Sequence, residues 1–114
     1  MQNAVITELR TGLSFDVQID KAPSVKQNFT IVFIDGKEVK RPDAEEINGL
    51  IRIKPLKHDN KVENFIKNWA DSRRKIRLML DTGAIMFLLS GCYVKKMDTE
   101  NNSITIYYNS FTEA

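Results

Sequence analysis

The chain is poor in the residues that carry most metal and nucleophilic chemistry. It has one histidine, His58, and one cysteine, Cys92, in 114 residues. A histidine-based metal site would lack ligands, and no intrachain disulfide can form. A lone thiol fits a reducing compartment. Glycine-rich phosphate loops and Cys-x-x-Cys pairs are missing. No apolar run approaches the roughly 20 residues needed to cross a bilayer, so no membrane segment is expected. "MQNAVITELR" lacks the basic-then-apolar order of a signal peptide. Charge excess is missing too. Seventeen basic and 15 acidic residues leave +2, too little to argue for nucleic acid by itself. There is no internal repeat and no low-complexity segment. What remains is one domain, residues 1–114, with 42% hydrophobic residues and room for a real core. No cofactor and no metal is expected.

Most of the chain reads as strand. In "LSFDVQI" (13–19), Leu13, Phe15, Val17 and Ile19 share one face. "FTIVFI" (29–34) is apolar on both faces apart from Thr30, the pattern of a central strand. Asp35-Gly36 marks a tight turn into the charged strand "KEVKR", which Pro42 ends. "NGLIRIK" (48–54) is a further strand. One helix is expected at about residues 60–72. Val62, Phe65, Ile66 and Trp69 fall at i, i+3, i+4 and i+7, an apolar stripe, with Asp59 or Asn60 as cap and Glu63 placed for a capping box. "KIRLMLD", "AIMFLLS" running on through "GCYVKKM", and "SITIYYN" close the chain as strands. Ile104, Ile106 and Tyr108 share a face of the last, and residues 97–102 form the turn before it. The fold class is therefore α+β and β-rich: a small antiparallel sandwich or barrel with one packed helix.

The tripeptide Asp81-Thr82-Gly83 has two readings. As a two-residue hairpin loop, Thr82-Gly83 sets Leu80 opposite Ile85, Leu78 opposite Phe87 and Ile76 opposite Leu89, six large apolar residues on one face. The other face then has Met79 opposite Met86 and Arg77 opposite Leu88. Met79, Met86 and Leu88 form a second apolar face, either covered by the helix stripe or left for a second subunit. The other reading is the catalytic turn of a dimeric retroviral-type aspartic protease, where two carboxylates share a proton. That activity needs a flap and a later apolar-apolar-glycine segment, and only 30 residues follow Ala84. The hairpin reading is preferred, and no enzymatic activity is expected. A Cys92–His58 nucleophile pair would require folding to join them. Cys92 lies in an apolar strand, the setting of an inert thiol.

Two stretches of the chain are rich in cations: Lys37, Lys40 and Arg41, and later Arg73, Arg74, Lys75, Arg77, Lys95 and Lys96. With Tyr93, Tyr107 and Tyr108 as stacking groups they suggest an alternative, a small nucleic-acid-binding β-barrel, provided the charges converge.

From residue 48 to 110 the order of elements is distinctive. "IRIKPLKHDNKVENFIKNW" gives strand, polar link and a helix ending in Trp69. The hairpin "KIRLMLDTGAIMFLLSG" follows, and then "GCYVKKMDTENNSITIYYN" leaves a glycine, turns at asparagines and returns. This resembles the tail-tube proteins of contractile phages and related injection machines. At the glycine step the chain has Cys92-Tyr93 where that family has an aromatic-proline pair. The resemblance implies a structural homo-oligomer, a ring usually of six copies. It would serve as tube, tube initiator, hub or terminator, stacked on other tail proteins around a channel that DNA passes. It also implies a place in the virion tail, after assembly in the host cytoplasm.

Overall fold

The computed structural model describes residues 1–20, 22–23, 29–42, 49–57 and 59–113. Among these, nine strands and one helix follow one another as β1 (Gln2–Glu8), β2 (Ser14–Ile19), β3 (Phe29–Ile34), β4 (Lys37–Pro42), β5 (Gly49–Pro55), α1 (Asn60–Ser72), β6 (Ile76–Asp81), β7 (Met86–Asp98), β8 (Ser103–Tyr108) and β9 (Ser110–Glu113). Six of the strands close an antiparallel barrel in the order β6-β1-β2-β5-β8-β7, sealed by β6 pairing with β7. The expected β-rich α+β fold is thus a barrel. β1 and β9 join the strands that the sequence pattern predicts.

Alternation fills the interior. Ile6 on β1, Val17 and Ile19 on β2, Ile51 and Ile53 on β5, and Leu78 and Leu80 on β6 are all essentially inaccessible, as are Leu89 and Ile106. Each lies two residues from its nearest inward neighbour, as the pleat demands. β8 and β9 together run along β7 as one long hairpin arm, interrupted at Asn109, whose N–H donates to Ser90 O over 2.9 Å. β7 changes phase twice. Phe87 and Leu89 face inward, then, beyond a register shift and Gly91 at φ +65°, Cys92 does. A second shift between Val94 and Lys96 inserts Lys95 as an extra residue.

The helix covers the same core. Asp59 is its cap, accepting from Lys61 N–H at 2.7 Å, and Arg73 ends it in the left-handed conformation. Val62, Ile66 and Trp69 are buried within the barrel's own cluster. Phe65, predicted as core, is half-buried and stacks on Trp69 at 5.8 Å between ring centroids. Ile76, also predicted as core, is half-buried against the cluster.

Two expectations are overturned. "FTIVFI" is not a central strand: among the described residues β3 pairs only with β4, in a separate two-stranded sheet. Phe29, Ile31, Phe33 and Ile34 are each more than half exposed, Phe33 at 71%. The turn between β3 and β4 is as expected, with Asp35 at φ 52° and Gly36 at φ 74° and Ile34 opposite Lys37. The second correction is the register at Asp81. Leu80 faces Phe87, not Ile85, and Leu78 faces Leu89. The loop has four residues, 82–85, and Ile85 sits in it, 41% exposed and outside the core. A slip of two residues moves Ile85 off the core face but leaves the side chains from Leu78 to Leu80 and from Met86 to Leu89 on their predicted faces, because the side-chain period is two. The alternation defines faces; it cannot choose between registers that differ by an even step.

Candidate functional site

The Asp-Thr-Gly segment is built as a turn. Gly83, at φ +85°, donates its N–H to Asp81 Oδ1 at 2.8 Å. Thr82 N–H donates to Ile85 O at 3.0 Å, while Thr82 Oγ1 accepts from Ile85 N–H at 3.1 Å. Aspartate and threonine favour such self-bonding turns, and the glycine takes the conformation that a side chain would oppose.

Cys92 is fully buried, and burial pushes its thiol up to about 12 despite a backbone hydrogen bond at Leu78. A thiol so protonated is a poor nucleophile. His58, its supposed partner, lies outside the described residues. Among the described residues no three His, Cys, Asp or Glu side chains are grouped to hold a metal ion, and no helix is long and apolar enough to cross a membrane.

Three surfaces remain. The first is the β3–β4 arm. Opposed residues share a face, so one face carries Phe29, Ile31 and Phe33, and the other Val32, Val39 and Ile34. Glu38 and Lys40 lie on the first face, and Thr30, Lys37 and Arg41 on the second, beside these apolar groups. Lys37, Lys40 and Arg41 are thus on this arm, in a sheet separate from the barrel.

The second is the outer face of β6 and β7. Met79 stands opposite Leu88, and Asp81 opposite Met86, in place of the predicted Met79–Met86 and Arg77–Leu88 pairs. All three candidate contact residues point away from the core. Met86 is 42% exposed, and Met79 and Leu88 are half-buried. The stripe of α1 goes to the interior cluster, leaving Met86 uncovered.

The third surface gathers cations from distant parts of the chain. Arg73 and Lys75, on the link between α1 and β6, line one depression with Tyr93, Lys95 and Lys96 of β7. Lys75 also lines the next depression, with Arg10, Arg74 and Arg77. Among the described residues, the only carboxylate lining either is that of Glu8. It is buried and turned to Thr11, whose N–H and Oγ1 both lie 2.6 Å from Oε2. Burial alone would raise its pKa, but these hydrogen bonds outweigh it and hold the carboxyl below its ordinary value. Asp98, close enough to feel Lys96, has its carboxylate engaged by Asn101 N–H and Nδ2, and these bonds lower its pKa. Tyr93 and Tyr107 stand opposite one another on the outer face, ring centroids 4.9 Å apart. Tyr108, the third predicted stacking group, is buried and packs edge-on against Phe111, because it continues the inward face of Ile104 and Ile106. Arg10 is not among the candidates that the sequence suggests; only the β1–β2 turn brings it here.

No protein-family model matches the chain, and no curated protein matches it in sequence.

Proposed function

We propose that this protein is a self-assembling structural subunit without catalytic function, of the tail-tube type found in phage tails and related injection particles. The observation that carries the reading is the β3–β4 arm. A lone two-stranded hairpin is marginal in water. This one has large apolar side chains on both faces, with Phe29, Ile31, Phe33 and Ile34 all more than half exposed. Monomers rarely leave such a patch uncovered, and contact with neighbouring subunits would cover it. Met86 and Leu88 on the barrel's outer face supply a second contact of the same character. Flexible methionine adapts to a partner surface at little strain. The element order, which resembles that of tail-tube proteins, is the ground for proposing a ring of copies, stacked with other tail proteins in the virion.

The test is particle mass by analytical ultracentrifugation, with negative-stain microscopy for shape. Wild type should form rings or tubes. Ile31→Lys with Phe33→Asp should keep the β signal in circular dichroism but sediment as a monomer. Met86→Lys with Leu88→Glu should weaken assembly through the barrel face. A wild type that stays monomeric at high concentration would falsify the reading.

A further inference from the structure

We infer that the outer face of β5, β8 and β7, with the adjoining α1–β6 link, binds single-stranded nucleic acid. The inference goes beyond the structural role proposed above and does not depend on it.

Strand pairing sets side chains of two kinds in adjacent rows on this face. Leu50 is opposite Tyr107, and Tyr107 is opposite Tyr93. Leu50 is 42% exposed, and the two tyrosines are partly exposed. This row is a strip of one aliphatic and two aromatic side chains, the two rings tilted 38° to each other. One step along the strands, Thr105 stands opposite Lys96. The bulge then matters. It places Lys95 and Lys96 together against one residue of β8, so two exposed cations arise where a regular ladder would turn one inward. Arg73 and Lys75 meet them across the shared depression. Arg10, Arg74 and Arg77 extend the positive surface beyond Lys75.

The charge is concentrated here. Among the described residues, seven cations and one carboxylate line the two depressions, in a chain that holds 17 cations and 15 acids. The one carboxylate, that of Glu8, accepts from Thr11 and offsets part of the charge of Arg10 beside it, which leaves a clear excess of cations. A positive groove beside aromatic groups is what an unpaired strand needs, with phosphates on the cations and bases against the rings. The aromatic strip decides between single strand and duplex. Stacked, paired bases could not reach it, whereas an unpaired strand turns its bases outward. Steering by the charge speeds encounter, and the strip contributes affinity that salt does not screen.

Fluorescence anisotropy with a labelled oligothymidylate of about 20 nucleotides, and with a duplex of equal length, tests this. Wild type should bind the single strand, more weakly as salt rises, and bind the duplex at least about tenfold more weakly. Lys95→Glu with Lys96→Glu should lower affinity by about tenfold or more and flatten the salt dependence, by roughly 0.7 in log–log slope for each phosphate no longer neutralised. Tyr93→Leu keeps the bulk but removes the ring. It should weaken binding severalfold and leave the salt slope unchanged. Lys40→Glu, on the arm, is the control and should bind as wild type. Ile31→Lys with Phe33→Asp should also keep its binding, which separates this site from assembly. The proposal is overturned if wild type fails to bind in low salt, if the duplex binds as tightly, if Tyr93→Leu binds as wild type, or if Lys40→Glu costs as much as the Lys95/Lys96 pair.

Discussion

Gly83 donates its N–H to Asp81 Oδ1 across 2.8 Å, so the first and third residues of the Asp-Thr-Gly tripeptide close on each other. The carboxylate serves the turn. Asp81→Asn keeps an oxygen in place, and stability should change by less than about 1 kcal/mol. Asp81→Ala removes the acceptor and should cost about 1 kcal/mol, one ordinary hydrogen bond. Chemical denaturation of the two variants checks the order. A peptide cleavage activity that is pepstatin-sensitive and lost in Asp81→Asn would overturn the turn assignment.

Trp69 ties the helix to the barrel in two ways. Its ring is 2% exposed, and its Nε1–H donates to Arg74 O at 2.9 Å, just where the chain leaves the helix for β6. Trp69→Ala should cost roughly 3–5 kcal/mol. That is a large part of the roughly 5–15 kcal/mol a domain has, so a steep fall in Tm or outright unfolding is expected. An unchanged Tm would mean that the ring is not in the core.

Gly91 is held at φ +65°, and a Cβ there would lie 2.7 Å from Asn109 Cβ. Both facts oppose any side chain. Gly91→Ala should cost about 1–3 kcal/mol, since the left-handed conformation and the close approach must both be relieved. The effect should be read as lower Tm with retained β signal. Gly36 is the comparison: its φ is +74°, but nothing lies near an added Cβ, so Gly36→Ala should cost less than Gly91→Ala.

Glu8 makes stability depend on acid. Its folded pKa is lowered below the ordinary 4.5 by Thr11, against the opposing effect of burial. The stabilisation it contributes is therefore present above the unfolded value and disappears as pH falls through the folded one. Glu8→Gln carries no such proton. The difference in Tm between wild type and Glu8→Gln should be largest near neutrality and shrink once pH drops below 4.5. A difference that is constant across this range would show that the carboxylate makes no proton-linked contribution.

Local chemistry made much of the molecule legible from the sequence alone. The helix from Asn60 to Ser72 follows from its cap and from apolar spacing that only one face can satisfy. The Asp35-Gly36 turn follows from two residues that tolerate positive φ, and the inward faces of β2, β6 and β8 follow from alternation. Arg10 apart, the cations of the nucleic-acid candidate were legible as residues, but not as a site. Arg73 and Lys75 meet Lys95 and Lys96 only because β6 and β7 close the barrel beside the end of the helix.

Tertiary structure alone decided three things. It chose the Leu80–Phe87 register over the Leu80–Ile85 one, since both put the same faces inward and only loop geometry separates them. It set β3 outside the barrel. A strand apolar on both faces asks for cover, but nothing in its own residues says whether that cover comes from its own sheet or from elsewhere. And it brought Arg10 beside Arg74 and Lys75, residues far from it in the chain, because β1 pairs with β6 and only barrel closure sets that pairing.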